Sequence, residues 1–254
     1  MSITTDSAPS RVLGAFSAEL RKARSFPAIP STMLFGVLGL LAAAVFTITQ
    51  AGQFIAQGRE DELGGLTTAD VLMLLLHYGQ IIPILLGAWT IGQDIPVGPR
   101  HSAFLATARR GTLIVIKLVS AALVALIAGV VCTIAAVGPL AVAGGDSTSD
   151  TISLAPFVWL IGYWVVLAVV TTALVAATRS LTFTVVPILV WTIGLSDLLS
   201  VQVPALTGAL DQVLKSAYLQ GGIAPSPAAL TSTAVQLVVA LSLSTVPYMR
   251  RDVG

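Results

Sequence analysis

The sequence predicts an all-α integral membrane protein with six transmembrane helices, an N-terminal interfacial elbow helix and both termini in the cytoplasm. Three observations carry that expectation. The 254 residues are 56% hydrophobic and only 10% charged, against about 25% charged in soluble domains. So few polar side chains cannot cover a water-facing surface, which leaves lipid as the solvent for most of the chain. Six apolar runs reach the roughly 20 residues a helix needs to cross about 30 Å of hydrocarbon. The basic residues, finally, fall almost wholly into alternate connections between those runs.

The runs are Ser31 to Gln50, Val71 to Gln93, Thr112 to Leu140, Leu154 to Thr178, Leu181 to Leu199 and Ala228 to Tyr248. Lipid leaves unpaired backbone groups unsatisfied, and the runs lack the apolar/polar alternation of barrel strands, so helices are expected. The first run starts 30 residues in and lacks a small-residue cleavage site, unlike a signal peptide. Residues 1–30 therefore form a tail and elbow, and 31–254 the membrane domain.

Arg11, Arg21, Lys22, Arg24, Arg100, Arg109, Arg110, Lys117, Arg179, Arg250 and Arg251 lie on one side of this arrangement, and only Arg59 and Lys215 on the other. Eleven basic residues against 2 put the first side in the cytoplasm. Most carboxylates lean outward, among them Glu60, Asp61, Glu62 and Asp70.

Ahead of the first run, "RVLGAFSAELRKARSF" has helical periodicity. Val12, Leu13, Phe16, Leu20 and Ala23 share one face, and Arg11, Arg21, Lys22 and Arg24 the other. This is the pattern of a helix lying in the headgroup plane, its basic side meeting anionic lipid. An ordinary helix packed on a neighbour would show the same periodicity. Pro27 and Pro30 are expected to bend the chain into the first span.

The main cytoplasmic loop, 94–111, lies within "IGQDIPVGPRHSAFLATARRGTLIVIK". Arg109, Arg110 and Lys117 anchor the third span, Lys117 by snorkelling back to the headgroups. Anchoring does not account for Pro96 and Pro99, which break the chain after Asp94. Nor does it account for "HSAFLATARR", a potential short helix with Phe104 and Leu105 facing the cytoplasm.

External connections at 51–70 and around "GGDSTSD" are too small for a binding domain. The insert at 200–227 places Leu206, Leu210, Val213, Leu214 and Ala217 on one helical face between Pro204 and "GGIAPSP". That pattern fits equally a segment dipping toward the bilayer and a helix resting on the external headgroups. Within the spans, Pro83 and Pro187 are expected to kink their helices and Pro139 to end one. Gly79, Gly87 and Gly92 would permit close helix contact. His77 and Asp197 sit near an interface, and the lone Cys132 reads as a small hydrophobe.

No G-x-x-x-x-G-K-[ST], H-E-x-x-H or G-x-S-x-G occurs, and no carboxylate cluster suited to Mg²⁺. No catalytic residue, metal site or cofactor is expected in this chain, and no basic tract suggests nucleic acid.

Together these features resemble the permease subunit of type 2 ABC exporters. The likeness spans nearly the whole chain: an elbow helix, six spans with both ends inside, and a helical insert before the last span. The family places an acidic residue after the second span, a basic turn, a Thr-Pro-x-x-R-like run and a Lys entering the third span. Asp94, Arg100, Thr107, Arg109 or Arg110, and Lys117 occupy comparable positions, with Ala108 in place of the usual Pro. The resemblance implies a coupling helix held in a cleft of a separate cytoplasmic ATPase. Phe104 and Leu105 would anchor it, with Arg100, His101, Arg109 and Arg110 as a polar rim. It further implies two ATPase subunits binding ATP and Mg²⁺, a second permease chain, identical or homologous, and residence in a bacterial plasma (inner) membrane. A substrate path would run between the permeases along the first, second and fifth spans, past Gln80, Trp89 and Thr184. The lack of a binding domain favours export. An ion-gradient carrier or channel, and a non-transporting membrane accessory subunit, are the competing expectations.

Overall fold

The computed structural model describes residues 8–58, 79–94, 110–143 and 155–192, and, in the last predicted span, residues 231, 234–235, 237–239 and 241–242. Six helices are described in full: α1 (Ala8–Ser25), α2 (Ala28–Ala56), α3 (Ile81–Gly92), α4 (Arg110–Ala143), α5 (Ala155–Thr178) and α6 (Leu181–Val190). Among the described residues there is no strand.

Three helices are long and apolar enough to cross a membrane, over Ala28–Phe54, Ile114–Pro139 and Phe157–Thr178. The shortest of these segments, 22 residues, extends about 33 Å at the helical rise, enough for the hydrocarbon core. α3 and α6 are shorter apolar helices within the second and fifth predicted spans. The described residues of the sixth predicted span are helical, with Val235, Val238 and Val239 exposed. The start of the second predicted span, the end of the fifth, the interior of the 94–111 loop and the 200–227 insert lie outside the described residues.

The packing is that of a protein dissolved in lipid. α4 turns Ala121, Ala125, Ala128, Cys132 and Ala136 inward and leaves Val115, Ile127, Val131 and Ile134 outside. α2 likewise buries Leu40 and Ala44 and exposes Leu34, Phe35 and Phe46. Between lipid and protein there is no hydrophobic gain to drive association, so small side chains face the neighbouring helices and dispersion contacts hold them. Water would not tolerate so large an apolar exterior.

α3 is the centre. Eight of its 12 residues are buried, and it touches α2, α4, α5 and α6. Its contact with α5 is close because Gly87 has no side chain: a Cβ there would lie 3.0 Å from the Cα and carbonyl carbon of Ala168. The Thr172 hydroxyl donates across the same contact to the Gly87 carbonyl at 2.9 Å. Ile84, Leu86, Val124, Leu160, Trp164 and Leu167 form the main apolar core around this point.

The prolines depart from expectation in two places. Pro139 lies inside α4, which continues to Ala143. Membrane helices tolerate the lost hydrogen bond where neighbours and local adjustment re-satisfy the backbone. Pro83 falls in the first turn of α3, where an N–H has no intrahelical acceptor; the part of the second predicted span before residue 79, on which the expected kink depends, lies outside the described residues. Pro30 similarly opens α2, so the bend between α1 and α2 is confined to Phe26 and Pro27. Pro187 lies inside α6 as expected, and a π turn follows at Trp191–Thr192.

Candidate functional site

The charged side chains among the described residues gather at one end of the bundle. Glu19, Arg21, Lys22 and Arg24 are on α1, Asp94 follows α3, Lys117 lies early in α4, and Arg179 separates α5 from α6. That is 5 basic residues against 2 acidic. Local sequence explains how each arrives there. α1 stops at Ser25 because Pro27 follows, and the Phe26 amide closes the last turn on the Lys22 carbonyl at 2.9 Å. Lys22 and Arg24 in that turn complement the negative end of the helix. Asp94 is placed against this rule. It follows the C-terminus of α3, its amide bonded to the Ile91 carbonyl at 2.9 Å, so its carboxylate adds to the negative end and needs cations nearby.

Two lysines supply them. Lys22 Nζ donates to Asp94 Oδ1 and Lys117 Nζ to Asp94 Oδ2. Lys117 Nζ also reaches Glu19 Oε2 at 3.2 Å. The four formal charges cancel. Lys117 and Glu19 are 13% and 16% exposed, Asp94 29% and Lys22 39%, so the group grades from a nearly dry side to a wet one. Burial and the adjacent Lys117 ammonium push Lys22 below the usual lysine range, partly offset by Glu19. Beside this group, Phe26 and Trp89 stack with ring centroids 6.1 Å apart, tilted by 52°. α1 is thus joined to the last turns of α3 by an ionic contact and an aromatic one.

These contacts revise the expected role of α1. Ala23 is buried and Phe16 and Leu20 are partly buried, on the side facing α2 and α4. Of the apolar residues predicted for that face, Leu13 stays 68% exposed. Arg21 and Arg24 are exposed as predicted, whereas Lys22 is turned to Asp94. Lys117, predicted to snorkel, instead ends on two carboxylates. Arg100, His101, Phe104, Leu105, Thr107 and Arg109 lie outside the described residues, as does the side chain of Arg110. Glu19 is the member that sequence reasoning missed. Three residues before Lys22, it reads as half of a local pair, and its tertiary partner lies 98 positions away.

Gln80, Trp89 and Thr184 are in three different surroundings. Gln80 is buried, donates to the Thr192 carbonyl at 3.3 Å and accepts from the Tyr163 hydroxyl at 3.0 Å. Thr184 is buried at the other end of α5, its hydroxyl 2.6 Å from that of Thr178. Tyr163 and Thr178 are 15 residues apart on one helix, roughly 22 Å along its axis. Trp89 belongs to the α1 junction. Among the described residues no group of three His, Cys, Asp or Glu side chains could hold a metal. No protein-family model, curated protein or solved structure matches the chain.

Proposed function

We propose that this chain is the transmembrane subunit of an ATP-driven type 2 ABC exporter. In this reading two permease chains enclose the substrate path, and two separate ATPase subunits bind ATP and Mg²⁺. The chain crosses a bacterial plasma membrane six times, with both termini cytoplasmic. The observation that carries the reading is the junction of Glu19, Lys22, Asp94 and Lys117. A loop that only linked two spans would need no attachment to an N-terminal helix. A loop that receives force from a partner needs firm roots, and here the two helices flanking residues 95–109 are tied together and to α1.

On this basis Phe104 and Leu105 insert into the ATPase, and Arg100, His101, Thr107, Arg109 and Arg110 surround them. ATP-driven approach of the ATPases displaces the loop, and α3 and α4 carry the displacement into the bundle. Such coupling exists only if the loop makes different contacts in the two states. The buried path of α3 favours transmission, since a tightly packed central helix cannot move without moving its neighbours.

The test is recovery of a P-loop ATPase with the tagged chain from its native membrane. The wild type is expected to retain it, and Phe104→Asp with Leu105→Asp to lose it while remaining membrane-inserted. Absence of any ATPase under several mild detergents would remove the exporter reading and bring forward the carrier and accessory readings.

A further inference from the structure

We propose that Glu19 is a positioning residue that, through Lys117, holds Asp94 in a charge-balanced clasp and thereby makes α1 move with the roots of the 95–109 segment. The mechanical meaning rests on the exporter reading; the clasp itself does not.

Lys117 begins the argument. It lies 7 residues into α4, about 10 Å along the axis, and is only 13% exposed. An ammonium there has lost most of its water and needs counter-charge in place of it. Asp94 alone would neutralise it, but Asp94 also holds Lys22. With two ammoniums on one carboxylate the site would carry a surplus positive charge, and the lysines would repel each other. Glu19 removes the surplus. Its carboxylate meets Lys117 at 3.2 Å, so each acid serves a base and Asp94 bridges the two lysines.

The gradient of exposure decides what happens when the balance fails. Lys117 is fixed to a packed helix, whereas Lys22, at 39% exposed, has water as an alternative. Loss of Glu19 therefore releases Lys22 first, and with it the C-terminal turn of α1. The Phe26–Trp89 contact then remains at the junction of α1 with α3. Composition agrees with a shared ionic node. Two of the chain's three lysines are used here, and a compact ammonium with three donors suits sharing between carboxylates better than a planar guanidinium.

The experiment measures the α1–α4 distance in the full chain reconstituted in lipid nanodiscs. Spin labels replace the exposed Ala18 and Val115 in a Cys132→Ala background, and pulsed electron resonance reads the distance distribution. The parent should give a narrow distribution. Glu19→Gln should broaden it at least twofold. Glu19→Gln with Lys117→Gln restores a balanced Lys22–Asp94 pair and should be narrower than the single variant. A Glu19→Gln distribution matching the parent overturns the proposal. So does a double variant at least as broad as the single, since that would mean packing, not charge balance, had been disturbed. Loss of the exporter reading in the pull-down leaves these distances readable, so the two failures are separable.

Discussion

Replacing Gly87 by alanine tests the packing on which the whole bundle depends. The added Cβ would lie 3.0 Å from the Cα and carbonyl carbon of Ala168 and in hard overlap with its carbonyl oxygen. Because the obstacle is backbone, no side-chain rotation relieves it, and α3 and α5 must separate. Overpacking of this kind costs about 1–3 kcal/mol. Separation also stretches the 2.9 Å bond from Thr172 to the Gly87 carbonyl, a class of contact averaging about 0.6 kcal/mol between membrane helices. Against this, alanine gains up to about 1 kcal/mol in helix propensity. The net is a loss on the order of 1–2 kcal/mol, or roughly 2–8 °C in Tm for a chain of this size. Gly162→Ala is the internal control, because nothing lies within 4 Å of a Cβ at that position. It should be neutral or stabilising. Tryptophan fluorescence during heating in a single detergent reads both variants. A Tm for Gly87→Ala equal to or above that of Gly162→Ala would refute the close-contact reasoning.

Arg179 joins α5 to α6 with φ of 56°, a left-handed backbone that costs an L-residue on the order of 1 kcal/mol; Arg179→Gly should raise Tm, and a drop would show that the side chain has a role of its own. Ser180 caps α6 by accepting from the Phe183 amide at 3.3 Å, so Ser180→Ala should cost about 1 kcal/mol in the same assay. Lys22 should titrate below 10.5 by NMR of labelled lysine carbons. Lys117→Gln should move it back up, because one of its two lowering causes is gone; an unchanged value would contradict the arrangement. The sign of the stability effect follows. The unfolded chain holds this proton more tightly, so the Lys22 contribution makes folding more favourable as pH rises from the lowered value toward 10.5.

Much of the architecture was legible in one dimension, because hydropathy and helix stops are local quantities. α1 ends where Pro27 dictates, and Leu181 opens α6 after the polar Thr178–Arg179–Ser180 break, as its apolar run implies. Gly87 was legible as a contact glycine, although its partner Ala168 was not. Pro139 misled because a proline looks like a stop, whereas α4 continues past it to Ala143. The elbow reading identified the right helix, but its apolar periodicity could not say whether lipid or α4 would cover Ala23 and Leu20. The sequence by itself determined that this chain must be solvated by lipid, with helices of a given length and charges confined to their ends. Only the tertiary structure decided which ends meet. Lys22 and Asp94 are 72 residues apart, and Glu19 and Lys117 98. Their pairing arises because the ends of α1, α3 and α4 meet, and no local pattern in the sequence encodes that meeting.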